Sequence, residues 1–148
     1  MKRYGGIYLS ILLIDFLTKR WAMYACQTPW EIHPYLFCLQ VFNRGTAWSF
    51  FVTDSTIRYI LLIAAIVGIV GYVVMYAYYR WLLQHSIIGE VLVVAGATGN
   101  LLDRVLYPGV VDFIGLRYNH WVWPLFNLAD LAIIAGVCIM SWHLCKEG

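Results

Sequence analysis

Charged residues are scarce in this chain. Asp, Glu, Lys and Arg make up only 12% of its 148 residues, while hydrophobic residues make up 62%. Ordinary soluble domains carry roughly 25% charged residues, and the mean hydropathy here is +0.72. A net charge of +2 is too small, and too scattered along the chain, to indicate nucleic-acid binding. The composition predicts an integral membrane protein, and the length predicts a single domain over residues 1–148.

The sequence also lacks the spacings of metal and thiol sites. Its four histidines are isolated, with no H-E-x-x-H, and its four cysteines form no C-x-x-C pair. We therefore predict no metal and no cofactor. No cysteine neighbours the polar motifs described below, which disfavours a cysteine nucleophile. Cys26 and Cys38 could form a disulfide if their loop faces an oxidising compartment, and free thiols fit the sequence equally well.

Long apolar stretches are plentiful. A helix needs about 20 apolar residues to cross a bilayer, and four stretches qualify, at roughly 5–25, 57–79, 87–107 and 125–145. The first carries Asp15 and Lys19 with no small-residue cleavage site after it, so we interpret it as a retained span. The second is nearly free of polar groups and is predicted to be the most lipid-exposed. Gly96 and Gly99 predict a close approach of the third to a neighbour.

The links between spans differ in composition. Residues 31–42 are rich in β-branched and aromatic side chains and predict short strands. Residues 108–124 carry aromatic side chains suited to a membrane interface. The predicted fold is therefore an all-α integral membrane protein, with four transmembrane helices and a small β-sheet and loops on the outer surface.

The distribution of basic residues favours cytoplasmic N- and C-termini. Such an orientation follows the excess of Lys and Arg usually found on the cytoplasmic side. The residues then inside are Lys2, Arg3, Arg80 and Lys146, against Arg44, Arg58 and Arg117 outside.

Unusual polar residues converge on one side of the predicted bundle. Asp15 and Lys19 are four residues apart, as are Asn100 and Arg104, so each pair shares a helix face. Ionisable groups at membrane depth are costly unless they are paired or used, and the set therefore predicts a functional site. Its members are Asp15, Lys19, Asn43, Asn100, Asp103, Arg104, Asp112, Asn127 and Asp130.

Five short motifs stand in register over almost the whole chain. They are residues 15–19 (Asp-Phe-Leu-Thr-Lys), 43–50 (Asn-Arg-Gly-Thr-Ala-Trp-Ser-Phe), 96–104 (Gly-Ala-Thr-Gly-Asn-Leu-Leu-Asp-Arg), 110–114 (Val-Val-Asp-Phe-Ile) and 126–130 (Phe-Asn-Leu-Ala-Asp). Together, in this order and at this spacing, they resemble the lipoprotein signal peptidase family, signal peptidase II.

The resemblance implies an aspartyl endopeptidase of the bacterial inner membrane, with its active site towards the periplasm. Such enzymes remove signal peptides from prolipoproteins and cut before a cysteine that bears diacylglycerol, so prolipoproteins and membrane lipid are the expected partners. The catalytic pair maps onto Asp112 and Asp130. The supporting positions are Asp15, Lys19, Asn43, Gly45, Asn100, Arg104 and Asn127.

Peptide hydrolysis by two carboxylates requires one ionised and one protonated group. Close like charges raise one pKa and supply that mixed state, although the sequence does not say which aspartate holds the proton. We further hypothesise that the amides of Asn43, Asn100 and Asn127 hold the substrate backbone and that Arg104 orients a carbonyl or a carboxylate.

Structural interpretations of the same residues compete with these roles. Asp15 and Lys19 are predicted to form a structural ion pair, Asp103 to fix Arg104, and Asn127 could be a helix N-cap alone. The competing function is a small proton- or cation-coupled transporter subunit, and a structural assembly factor is a third class. A transporter needs polar residues through the whole bilayer, but the predicted inner half has only Glu90 within a span.

Overall fold

Four helices and four strands make up the fold. The computed structural model describes residues 2–45 and 56–147. The helices are α1 (Lys2–Ala25), α2 (Thr56–Leu82), α3 (Ile88–Leu106) and α4 (Leu128–Glu147). The strands are β1 (Trp30–His33), β2 (Leu36–Asn43), β3 (Val110–Tyr118) and β4 (Trp121–Val122). Residues 46–50 of the second motif lie outside the described residues.

The four predicted apolar stretches coincide with the four helices. The ends of each helix lie within three residues of the prediction. The helix that is shortened most is α4, which was predicted to begin at residue 125 and begins at Leu128. The reason is backbone pairing: Phe126 N donates to Ile114 O at 3.1 Å, so that residue continues the sheet. By length and composition, the described helices that qualify as membrane spans are α2 and α4, the latter over Leu128–Lys146.

The sheet is antiparallel, in the order β1-β2-β3-β4. The strands expected between the first two helices are present, but the longest strand, β3, lies in the link where we predicted only an interfacial loop. Its first residues, Val110 and Val111, are buried and pair with Asn43 and Phe42 of β2. The aromatic composition of this link led us to predict a loop, but the link contains the strand that pairs with β2. The links after α1 and after α3 therefore form one sheet.

A disulfide ties the sheet to the end of α1. Cys26 and Cys38 are bonded, with Cα atoms 5.5 Å apart, which decides between the two states that the sequence left open. Both cysteines are buried with Ala22 and Phe113. The backbone adds to this tie because Gln40 N donates to Cys26 O at 2.7 Å. β2 is thereby held at a fixed position above α1.

Helix α3 is the centre of the bundle and packs against the other three helices. Small residues allow its backbone to approach α4 closely: a Cβ added to Gly89 would lie 2.8 Å from Gly136 O, and one added to Gly96 would overlap Ala129 O. The close approach predicted from Gly96 is confirmed. As expected, α2 contributes little to the interior and buries only Val73 and Arg80.

The burial pattern is inverted relative to a soluble protein. On α1 the buried residues are Asp15, Lys19 and Ala22, whereas Leu9, Leu13 and other large apolar side chains are exposed. Soluble proteins place charged groups outside and rarely bury them. The helices therefore present apolar surface outward and enclose a polar interior at the end next to the sheet.

Candidate active site

A cavity of about 420 Å³ opens where the sheet meets α3 and α4. Its walls are largely apolar, and a few polar side chains converge in it, which is typical of a ligand site. The polar residues that line it are Asn43, Asn100, Arg104, Asp112 and Asp130, and Gly45 lines it as well. The structure therefore brings the two candidate catalytic aspartates, eighteen positions apart in sequence, to one cavity.

Asp112 reaches the cavity from the middle of the sheet. It pairs with Val41 of β2, lies between the buried residues Val111 and Phe113, and is itself only 4% exposed. An isolated buried carboxylate would be costly without donors. Two side-chain amides supply them: Asn43 Nδ2 donates to Asp112 Oδ2 at 2.9 Å, and Asn127 Nδ2 donates to Asp112 Oδ1 at 2.7 Å.

Asp130 reaches the cavity from the first turn of α4. Asn127 is the N-cap of this helix: its Oδ1 accepts from Asp130 N at 2.9 Å, and Asn127 N donates to Asp130 Oδ2 at 3.2 Å. This reciprocal pair is a capping box, with aspartate in the place that Glu or Gln usually takes. Asn127 is thus an N-cap, but it is not a cap alone. The same side chain also bonds Asp112, so a single residue contacts both carboxylates.

Asn100 completes the ring of amides. Its Nδ2 donates to Asp130 Oδ1 at 2.8 Å, while its Oδ1 accepts from Asn127 Nδ2 at 3.2 Å. Both ends of the Asn43 amide are also bonded, because its Oδ1 accepts from Gly45 N at 2.8 Å while its Nδ2 donates to Asp112. We had expected these amides to hold the substrate backbone. In the structure their N–H groups instead point at the two carboxylates.

Behind this ring lies a buried ion-pair cluster. Lys19 Nζ is 2.7 Å from Asp15 Oδ2, as the predicted structural pair requires, and 2.8 Å from Asp103 Oδ2. The prediction that Asp103 fixes Arg104 is therefore wrong. Neighbouring residues on a helix point in different directions, and Asp103 faces α1 while Arg104 faces the cavity.

Arg104 joins α3 to the residues after β2. Its Nη1 donates to Asn100 O at 2.9 Å, one turn back, and its Nη2 donates to Gly45 O at 2.9 Å. Its buried Nε has no hydrogen-bond partner among the described residues. Gly45 thus acts through its backbone, which holds the end of the sheet against α3.

Burial raises the pKa of Asp112 to about 7, far above the ordinary value of 3.8. This value is a net result: the negative charge of nearby Asp130 also raises the pKa of Asp112, whereas the amide donors Asn43 and Asn127 and the positive charge of Lys19 lower it. A carboxyl with a pKa near neutrality is suited to proton transfer at physiological pH.

A scan against protein-family models gives a match over most of the chain. Residues 7–146 match the model described as signal peptidase (SPase) II. The chain belongs to the signal peptidase II family. The activity is thus that of a membrane signal peptidase of the aspartic type, and the transporter alternative receives no support.

Curated relatives agree with this assignment. A lipoprotein signal peptidase of Polynucleobacter necessarius is 37% identical over 95% of this chain and 87% of its own length. One of Blochmanniella pennsylvanica is 36% identical over 95% of this chain and 88% of its own. The resemblance seen in the five motifs is therefore confirmed.

Two solved structures of bacterial membrane enzymes share the fold. One superposes with a TM-score of 0.77 over 99% of this chain and 90% of its own, at 24% identity. The other gives a TM-score of 0.74 over 100% of this chain and 96% of its own, also at 24% identity. At this identity, the likeness speaks for the fold alone.

Some contributors to the site gave little sequence signal. Gly109 lies so close to β2 that an added Cβ would be 2.6 Å from Asn43 O, yet a glycine after a proline in a link reads as an ordinary turn. Val111 contributes only its backbone: its N donates to Asp103 Oδ2 at 3.0 Å, and its O accepts from Asn127 Nδ2 at 3.3 Å. Such backbone contacts do not depend on the side chain, so they could not be predicted without the fold.

The two functions of Asn127 are separable by substitution. Asn127→Ala removes both the cap and the donor to Asp112. We therefore expect the free energy of unfolding to fall by about 0.5–2 kcal/mol, and we expect peptidase activity to fall as well. Asn127→Ser retains a good N-cap but is too short to reach Asp112, so stability is largely kept while activity still falls. Thermal unfolding and peptidase assays of both variants test this. Wild-type activity in Asn127→Ser would show that the bond to Asp112 is dispensable.

Proposed function

We propose that Asp112 and Asp130 are the catalytic pair of this signal peptidase. Its substrates are prolipoproteins that bear a diacylglyceryl-cysteine, and the cut falls just before that cysteine. The observation that carries the proposal is the double contact of Asn127, which bonds Asp112 through its side chain and Asp130 through its backbone at the wall of one cavity. Two carboxylates so held can share one proton and activate water between them.

The environments of the two carboxylates support different resting roles. Asp112, with a pKa of about 7, carries the shared proton near neutral pH. Asp130 lies in the first turn of α4, where the helix dipole favours a negative charge. In the proposed reaction Asp130 takes a proton from the attacking water while Asp112 donates its proton to the carbonyl oxygen. The tetrahedral intermediate then breaks its C–N bond: one of its hydroxyl groups returns a proton to Asp112 as the carbonyl re-forms, and the leaving amine receives a proton from Asp130, which restores the resting state.

The rest of the cavity fits a lipidated peptide. Arg104 has a buried Nε that lacks a hydrogen-bond partner among the described residues, and this donor suits a substrate carbonyl. The apolar wall suits acyl chains, because it is built from membrane-facing helices and from the link before α4. Its residues include Ile66 of α2, Ile133 and Ile134 of α4, and Leu116, Trp123 and Phe126.

We also propose that all four helices cross the bacterial inner membrane as one domain, with both termini cytoplasmic. For α1, the support is its exposed apolar surface around the inward Asp15 and Lys19. For the orientation, the support is the Cys26–Cys38 disulfide, since disulfides persist in oxidising compartments such as the periplasm. The sheet and the cavity then lie on the periplasmic side.

Replacement of either aspartate tests the catalytic pair. Asp112→Asn and Asp130→Asn each keep the size of the side chain but remove its acid–base function, so cleavage of a diacylglyceryl-modified prolipoprotein should fall by at least about 100-fold. Glu31→Gln is the matched control, because Glu31 is an exposed carboxylate paired with Arg117 at the outer sheet. Cleavage near the wild-type rate by a folded Asp112→Asn or Asp130→Asn protein would remove that residue from the pair. Wild-type rates in both variants would overturn the proposed catalytic pair.

The pH dependence tests the resting roles. Above a pH of about 7, Asp112 loses its proton, both carboxylates are charged, and no acid remains. We expect kcat/KM to fall about tenfold per pH unit on this alkaline limb. Asn43→Ala removes a hydrogen bond that lowers the pKa of Asp112, so its limb should move to higher pH. A limb that stays in place, or moves to lower pH, would contradict the assignment of the proton to Asp112.

Cysteine labelling tests the topology. In a background in which Cys138 and Cys145 are replaced by alanine, His120→Cys places a thiol between β3 and β4, and Ser86→Cys places one between α2 and α3. Both positions are exposed. With a membrane-impermeant maleimide on intact spheroplasts, residue 120 should react and residue 86 should react only after lysis. The reverse pattern would invert the proposed orientation, and labelling of both would contradict four spans.

A further inference from the structure

Lys19 is buried behind the cavity with every donor in use. It is 3% exposed, and its Nζ contacts Asp15 Oδ2 at 2.7 Å, Asp103 Oδ2 at 2.8 Å and Asn100 Oδ1 at 2.9 Å. An ammonium group has three N–H donors. Lys19 therefore fixes three acceptors, all of them on α1 or α3, at one point.

Each of the three partners of Lys19 also hydrogen-bonds to a candidate catalytic aspartate or to the residue directly before one. Asp15 Oδ1 accepts from Ala129 N at 2.9 Å, directly before Asp130 in the chain. Asp103 Oδ2 accepts from Val111 N at 3.0 Å, directly before Asp112. A single side chain is thus two hydrogen bonds away from the backbone beside each aspartate.

The third partner sets the direction of an amide. Because Lys19 occupies Asn100 Oδ1, the Nδ2 of Asn100 must face Asp130, to which it donates at 2.8 Å. Without Lys19, the donor that remains on this oxygen among the described residues is Asn127 Nδ2, at the longer distance of 3.2 Å. Asn100 would then be held less firmly, and a rotation of its amide would turn the oxygen towards the Asp130 carboxylate, where it repels instead of donating. Asp15 and Asp103 would also become two buried like charges without the cation between them.

We propose that Lys19 is a positioning residue for the reaction, one that fixes the spacing of Asp112 and Asp130 and the orientation of Asn100. This inference rests on the proposed catalytic pair. This role differs from that of a simple ion pair. Lys19 would act by holding its hydrogen-bond partners in place, and not only by neutralising the charges of Asp15 and Asp103. Misplacement of reacting groups by about 1 Å costs on the order of 100-fold in rate. Since Lys19 does not line the cavity, substrate binding should be spared.

The first test is Lys19→Met, assayed with a diacylglyceryl-modified prolipoprotein in detergent. We expect kcat to fall at least about 100-fold, with KM changed by no more than about threefold because substrate binding is unaffected. A kcat within threefold of wild type would overturn the inference.

A matched control is available at the other end of the bundle. Arg80 is 4% exposed, and its Nε lies 3.1 Å from Glu90 Oε1, so it too is a buried cation in an ion pair between helices. Arg80→Met should lower the unfolding temperature as Lys19→Met does, yet leave kcat close to that of the wild type. An equal loss of kcat in both variants would mean that loss of stability, not of position, explains the effect.

A double variant separates position from charge. The formal charges of Lys19, Asp15 and Asp103 sum to −1. The double variant Lys19→Met with Asp103→Asn keeps this sum but removes the ammonium group that bonds the three acceptors. We expect the double variant to regain stability without regaining kcat. Recovery of kcat would reduce Lys19 to a charge neutraliser and overturn the inference. The double variant also serves if Lys19→Met alone does not fold.

The same assay distinguishes this inference from the proposed function. Asp112→Asn is run in parallel. If Asp112→Asn is inactive and Lys19→Met cleaves at the wild-type rate, only the positioning role fails. If Asp112→Asn remains active, the catalytic pair itself fails.

Discussion

The interior of this bundle is held together by hydrogen bonds to buried charge, while its outer surface is apolar. In lipid, apolar contact between helices gives little of the driving force that it gives in water, so close backbone packing and polar contacts carry more of the association. Here Lys19, its two carboxylates and the amides of Asn100 and Asn127 link α1, α3, α4 and the sheet. The stability of the fold and the geometry of the site depend on the same bonds.

The N-terminal cap of α4 shows how closely the stability of the fold and the geometry of the site are related. A helix N-terminus leaves N–H groups that need acceptors. In α4 these acceptors are Asn127 Oδ1, for Asp130 N, and the carboxylate of Asp15 from α1, for Ala129 N. Satisfying the helix end therefore positions Asp130 as well. A replacement that removes either acceptor therefore affects both the end of α4 and the position of Asp130.

Much of the fold could be predicted from sequence, because apolar length is a strong signal for a membrane helix. The polar residues also fall at one end of the bundle as predicted, since their positions along each helix place them near the end next to the sheet. β3 was not predicted, because residues of a half-buried strand and of an interfacial loop have similar composition. The partner of Asp103 was wrong for a different reason: adjacency to Arg104 in sequence says nothing about the direction of either side chain, and the true partner lies on α1.

Helix α2 differs from its neighbours, since its 27 residues bury only Val73 and Arg80. At 1.5 Å per residue it is about 40 Å long, longer than the roughly 30 Å hydrocarbon layer, and such helices tilt to fit. Its buried pair, Arg80 with Glu90, anchors the end far from the cavity, whereas Ile66 forms part of the cavity wall. Under the proposed topology, a change in bilayer thickness would change the angle of α2 about this anchored end, and Ile66 would then move relative to the opposite wall of the cavity.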